Sequence, residues 1–191
     1  YIRYIGAGAV AAGGIMSLIK SLPLIINTFR KAVTGIGKNT GTDRTSKDIP
    51  MHFVLIGIAV IAVAIWLIPA IPVSLLGAVI IVVFGFFFPT VSSRMVGLIG
   101  SSNNPVSGMA IATLLFTSII LKLTGSTGMQ GMIAAIAIGS IICIIAAISG
   151  DTSQDLKTGY LVGATPYRQQ IGELIGTVVS ALAIGGVLYL L

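Results

Sequence analysis

From Met51 to Ile68 the chain runs for 18 residues, MHFVLIGIAVIAVAIWLI, with no Asp, Glu, Lys or Arg. A helix of that length, rising about 1.5 Å per residue, spans most of a hydrocarbon layer roughly 30 Å thick. Five further apolar windows lie at roughly residues 4–28, 73–91, 106–121, 129–149 and 171–191. Only 8% of residues are charged and the mean hydropathy is +1.07, whereas soluble domains are about one quarter charged. The expected fold class is therefore all-α: a polytopic membrane protein with about six transmembrane or re-entrant helical segments, and the lipid bilayer as its solvent. The chain opens on YIRYIGAGAV and closes on GGVLYLL, both within apolar runs. It reads as part of a longer polypeptide, whose remainder would be its partner, and it carries no signal-peptide pattern.

The net charge of +6 follows topology and does not point to nucleic acid. Arg30, Lys31, Lys38, Arg44 and Lys47 crowd one loop, about 30–50, against Asp43 and Asp48. Such a loop stays on the cytoplasmic side by the positive-inside bias. Alternation then carries Met51–Ile68 outward, turns it at the prolines of PAIP, and returns Val73–Val91. Residues 92–105 and the polar island at about 150–170 fall on the cytoplasmic side together. The first window, which contains Arg3, Lys20 and Pro23, repeats small residues four apart at Ala7/Ala11, Gly8/Ala12 and Ala9/Gly13. That spacing suits close helix packing in lipid, or a glycine-lined pathway.

Two polar stretches interrupt the apolar runs. In SSNNPVSGMA, Asn104 reads as an N-cap and Pro105 as the first residue of a helix. A helix start inside the bilayer would present free N–H groups to an anionic substrate, with Ser101, Ser102, Asn103 and Asn104 beside it. A capped loop at the surface is the competing reading. The second stretch, GDTSQDLKTGYLVGATP, spends two of the five acidic residues, Asp151 and Asp155, next to Lys157. Asp151 with Gln154 resembles a capping box, and Gly159 a terminator two turns later. Asp151, Asp155 and Thr158 share a helical face by spacing. Carboxylates at the edge of a membrane span are functional candidates, and Asp155, steadied by Lys157 and Gln154, is the candidate for proton coupling. Lys20 either snorkels to the interface or pairs with an anion. Glu173 and His52 have interfacial readings near helix starts.

Sharper chemistries fail on inspection. AVTGIGKNT breaks the phosphate-loop pattern at Ala32 and Asn39. Cys143 is the single cysteine, so disulfides and cysteine metal cages are excluded. His52 is the single imidazole for a Ser/His pair. No catalytic residue, metal site or cofactor is expected, and the chain reads as a non-enzyme. A passive pore is the alternative function, and an intramembrane hydrolase a more distant one.

The segments RYIGAGAVAAGGIMSLIKSLP, GLIGSSNNPVSGM and SGDTSQDLKTGYLVGATPYRQQIGELIG resemble the oligopeptide transporter superfamily, its bacterial and yellow stripe-like members in particular. The resemblance covers essentially the whole chain and places it in the C-terminal half of a larger transporter. It implies secondary active symport, in which protons drive oligopeptides or peptide-like metal chelates across a cell membrane, plasma or bacterial inner. Asn104-Pro105-Val106 stands where the eukaryotic peptide branch carries Asn-Pro-Gly, which leaves a chelate or a bacterial peptide-like substrate as plausible as a short peptide.

Overall fold

The computed structural model describes residues 43–68 and 73–191, with scattered helical positions between residues 5 and 27. Of the first window's small pairs, Ala7 and Ala11 lie outside the described residues, as does most of the basic loop. Among the described residues a short 3-10 turn at Arg44–Ser46 leads into α1 (Met51–Leu67), followed by α2 (Leu75–Ile99), a second 3-10 turn (Ser101–Asn103), α3 (Val106–Leu123), α4 (Gly128–Leu161) and α5 (Pro166–Leu190). No strand occurs among them, and five helical segments are long and apolar enough to cross a membrane.

Local chemistry sets the helix ends. Ser74 caps α2 by accepting from the Gly77 N–H at 3.3 Å. Pro166 opens α5, where its missing N–H costs nothing. The α4 terminus is closed by Gly163, whose φ of 72° suits glycine. Ala164 N donates to Gly159 O at 2.8 Å and Gly163 N to Tyr160 O at 3.2 Å, the paired bonds of a Schellman turn.

Three helices form the packed unit. Moving along α2, Gly77 meets Ile138, Gly85 meets Ile142 and Ser93 meets Ser153, so α2 and α4 run parallel. The helix between them, α3, returns antiparallel and packs on α4. At the seam Ala112, Ile138, Ile142 and Ala146 have no exposed surface, and Phe88, Val91 and Met109 surround them. Lipid is as apolar as these side chains, so the association gains from dispersion and close approach and not from release of water. α1 and α5 contain no buried residue.

The sequence expectations are corrected at three points. The apolar window 129–149 is not followed by a separate polar segment, because α4 continues unbroken to Leu161. Asp151 therefore lies in a helix interior and caps nothing, and the terminator is Gly163 in place of Gly159. Asn104 is no N-cap either: α3 begins at Val106 with Pro105 in the cap position, and no side chain caps it.

Candidate functional site

At one end of the unit, the final turns of α2, the 3-10 turn and the later half of α4 are joined by polar contacts. Ser92 is fully buried on α2. Its Oγ lies 2.6 Å from Ala146 O and 2.9 Å from Asn104 Oδ1. One hydroxyl hydrogen serves one of these acceptors at a time. Asn104 Nδ2 donates to the same Ala146 carbonyl at 3.3 Å, and Ser149 Oγ does so at 3.0 Å. The Asn104 side chain is thus spent on α4 and Ser92, which explains why it leaves the start of α3 uncapped.

Gly150 makes this approach geometrically possible. It is buried one turn beyond Ala146, and a Cβ there would overlap Asn104 Nδ2, lie 3.0 Å from Ser92 Oγ and 3.1 Å from Val96 Cγ2. A turn further, Ser153 Oγ donates to Ser93 O at 2.6 Å. Gln154 Oε1 accepts from Ser101 N at 2.7 Å, so an α4 side chain satisfies the first N–H of the 3-10 turn. Residues 146, 150, 153 and 154 share a helix face by their spacing. The structure therefore brings together Ser101, Asn104 and Gln154 of the sequence candidates. Ser102 and Asn103 stay exposed and bond locally, with Asn103 Nδ2 donating to Ile99 O at 3.3 Å and Ser102 Oγ at 3.4 Å.

Asp151, Asp155 and Lys157 are exposed on α4. The expected steadying of Asp155 by Lys157 is not made, since residues two apart on a helix point to different sides. Gln154 is likewise turned away, toward Ser101. Asp155 is tied in through its backbone, whose carbonyl accepts from Gln169 Nε2 at 3.1 Å. Lys20 is exposed and far along the chain from this cluster.

A second set of contacts escaped the sequence reading. Arg44 donates from Nη2 to Gly163 O at 2.8 Å and from Nη1 to Thr165 Oγ1 at 3.1 Å. Tyr167 N donates to Lys47 O at 2.9 Å, Ile49 N to Gln170 Oε1 at 3.1 Å, and Gln170 Nε2 to Asp48 Oδ1 at 3.3 Å. Lys47 Nζ sits 5.8 Å from the Tyr167 ring centre. The end of the basic loop is thereby strapped across the α4–α5 turn, so the loop end and the island lie on one side. No group of three or more His, Cys, Asp or Glu among the described residues is placed to hold a metal ion. The cluster joins α2, the 3-10 turn and α4 through neutral donors and acceptors, with the exposed carboxylates of Asp151 and Asp155 on the same stretch of α4.

The family model "OPT oligopeptide transporter protein" matches residues 1–191. A Haemophilus influenzae protein named "Putative oligopeptide transporter" is 34% identical over 216 aligned positions, covering 100% of this chain and 34% of that protein. An iron-phytosiderophore transporter of Oryza sativa subsp. japonica is 40% identical over 48 residues, 25% of this chain and 7% of that protein. The chain thus spans about a third of the length of its bacterial relative. No solved structure matches it significantly.

Proposed function

Because this chain belongs to the OPT oligopeptide transporter family, we propose that it is part of the C-terminal half of a proton-coupled symporter. The complete protein moves oligopeptides or peptide-like metal chelates across a plasma or bacterial inner membrane, and carries out no hydrolysis. The observation that carries the reading is the joint between residues 92–105 and α4, where Ser101, Asn104 and Gln154 meet. It places a helix start, two amides and a row of hydroxyls at the end of three packed membrane helices. A peptide or chelate presents carboxylates and amides that such groups recognise. Ser101, Ser102, Asn103, Asn104 and Gln154 form the substrate side of the site, and Asp155, on the same end of α4, takes up the coupled proton. Asp151 and Lys157 set the local field, and Lys20 belongs to the half of the path nearer the N-terminus.

The test is uptake by proteoliposomes that contain the full-length protein, under an imposed pH gradient, with a panel of short peptides and iron chelates. Accumulation that follows the gradient and is abolished by a protonophore supports symport. Uptake that equilibrates regardless of the gradient would establish a passive pore. Appearance of peptide fragments in detergent, with no gradient present, would establish a hydrolase.

A further inference from the structure

The Gln169 amide that binds the Asp155 carbonyl begins a polar line along α5. Gln169, Glu173 and Thr177 follow at intervals of four and Ser180 three later, which places them on one side of the helix. Gly172 and Gly176 fall on that side as well, with nothing within 4 Å of an added Cβ. The opposite side carries Ile171, Leu174, Ile175, Val178 and Leu182. α5 is therefore two-faced, although its length and composition suit a membrane span.

Glu173 stands out on that face. Its Oε1 is closed off from solvent and has no hydrogen-bond partner among the described residues, and the Oε1 of Gln169 one turn earlier is in the same condition. Among the described residues, the charged and titratable groups on the elements packed near this part of α5 are Asp155, Lys157 and Tyr160 on α4 and Arg44, Lys47 and Asp48 in the strap. Tyr167 and Arg168 are on α5 itself. Asp155 is engaged through its main chain, Arg44 donates to Gly163 O and Thr165 Oγ1, Lys47 lies over Tyr167, Asp48 is bound by Gln170, and Lys157 and Tyr160 are exposed. None of these contacts supplies a cation or donor to Glu173. A carboxylate oxygen removed from water without either is costly, and ionisable groups in membrane spans mark ion pathways. A bound proton removes the cost by replacing the carboxylate with a neutral carboxyl group.

We infer that Glu173 is a proton-binding site of the transport cycle, set one turn beyond the Gln169–Asp155 contact, so that the coupled proton passes from the water-exposed Asp155 end to Glu173 on the polar face of α5. The inference rests on the symport reading above.

The experiment uses proteoliposomes of the full-length protein loaded with a pH-sensitive dye, to which the same panel of short peptides and iron chelates is added at an inward pH gradient. Proton influx is read from the dye, and substrate exchange is measured without a gradient. The wild type is expected to show influx. Glu173→Gln is expected to lose at least nine-tenths of it while retaining exchange, which also certifies that the variant is folded, and Glu173→Asp is expected to keep a measurable part. Influx in Glu173→Gln equal to wild type overturns the assignment of Glu173 and leaves the symport reading intact. Loss of exchange in Glu173→Gln and Glu173→Asp together, with normal membrane insertion, also overturns it, because the residue would then be structural. Substrate uptake by the wild type without proton influx overturns symport and the assignment with it.

Discussion

Replacing Gly150 by alanine sets two effects of known sign against each other. In an unobstructed helix the change stabilises by about 0.8–1 kcal/mol through propensity alone. At Gly150 the added methyl overlaps the Asn104 amide and sits 3.0 Å from Ser92 Oγ and 3.1 Å from Val96 Cγ2. The Asn104 side chain is the movable partner, and moving it forfeits its bonds to Ala146 O and Ser92 Oγ. At about 1 kcal/mol each, those two bonds cost roughly 2 kcal/mol, which leaves a net loss of about 1 kcal/mol. Where Ser92 and Val96 must shift as well, overpacking raises the loss to about 3 kcal/mol. Gly176→Ala is the control, since nothing lies within 4 Å of its Cβ. The two variants should differ in opposite directions from wild type when the full-length protein is unfolded in lipid or detergent under reversible conditions. Gly150→Ala that is as stable as Gly176→Ala, with substrate affinity unchanged, would refute the close contact between Asn104 and α4.

Three other expectations follow from the same geometry. Cysteines at Thr45 and Ser126 lie at opposite ends of the helices, so an impermeant thiol reagent should label them from opposite sides of the membrane, Thr45 from the cytoplasm; labelling of both from one side would remove the alternation. Asp155→Asn should abolish accumulation driven by a pH gradient while leaving exchange, whereas Asp151→Asn, an exposed change in a helix interior, should alter stability by less than about 0.5 kcal/mol. Arg44→Ala removes both guanidinium bonds to the α4–α5 turn and should make the basic loop several times more sensitive to protease added from the cytoplasmic side; an unchanged cleavage rate would show that the strap is held by Lys47, Ile49 and Gln170 alone.

The membrane spans were legible because burying twenty apolar residues in lipid leaves little choice of structure, and α1 matches its window within one residue. The C-terminal end of α4 was not. Asp151 and Gln154 have the spacing of a capping box, but the same spacing is the ordinary i, i+3 relation inside any helix, and only the hydrogen bonds of residues 159–164 reveal where the chain stops. Gly150 and Ser92 carried no sequence signal, since their importance lies in a contact between segments 58 residues apart. Asn104 and Gln154 were chosen for their chemistry, and each links residues 101–104 to α4 with its expected role exchanged: the asparagine holds α4, and the glutamine caps the turn. Glu173 was read as interfacial because a carboxylate near a helix start has a routine explanation, which its unpartnered oxygen in the folded chain does not fit.

The unbroken length of α4 has a mechanical consequence. Its 34 residues extend about 51 Å at about 1.5 Å per residue, some 20 Å more than the hydrocarbon thickness. By the geometry of a rod of that length, each tilt of about 10° about a point near the bilayer centre corresponds to a sideways displacement of its overhanging end of about 4–6 Å. Gln154 and Asp155 lie near that end, and the strap through Arg44 and Gln170 ties the segment leading into α1 to it.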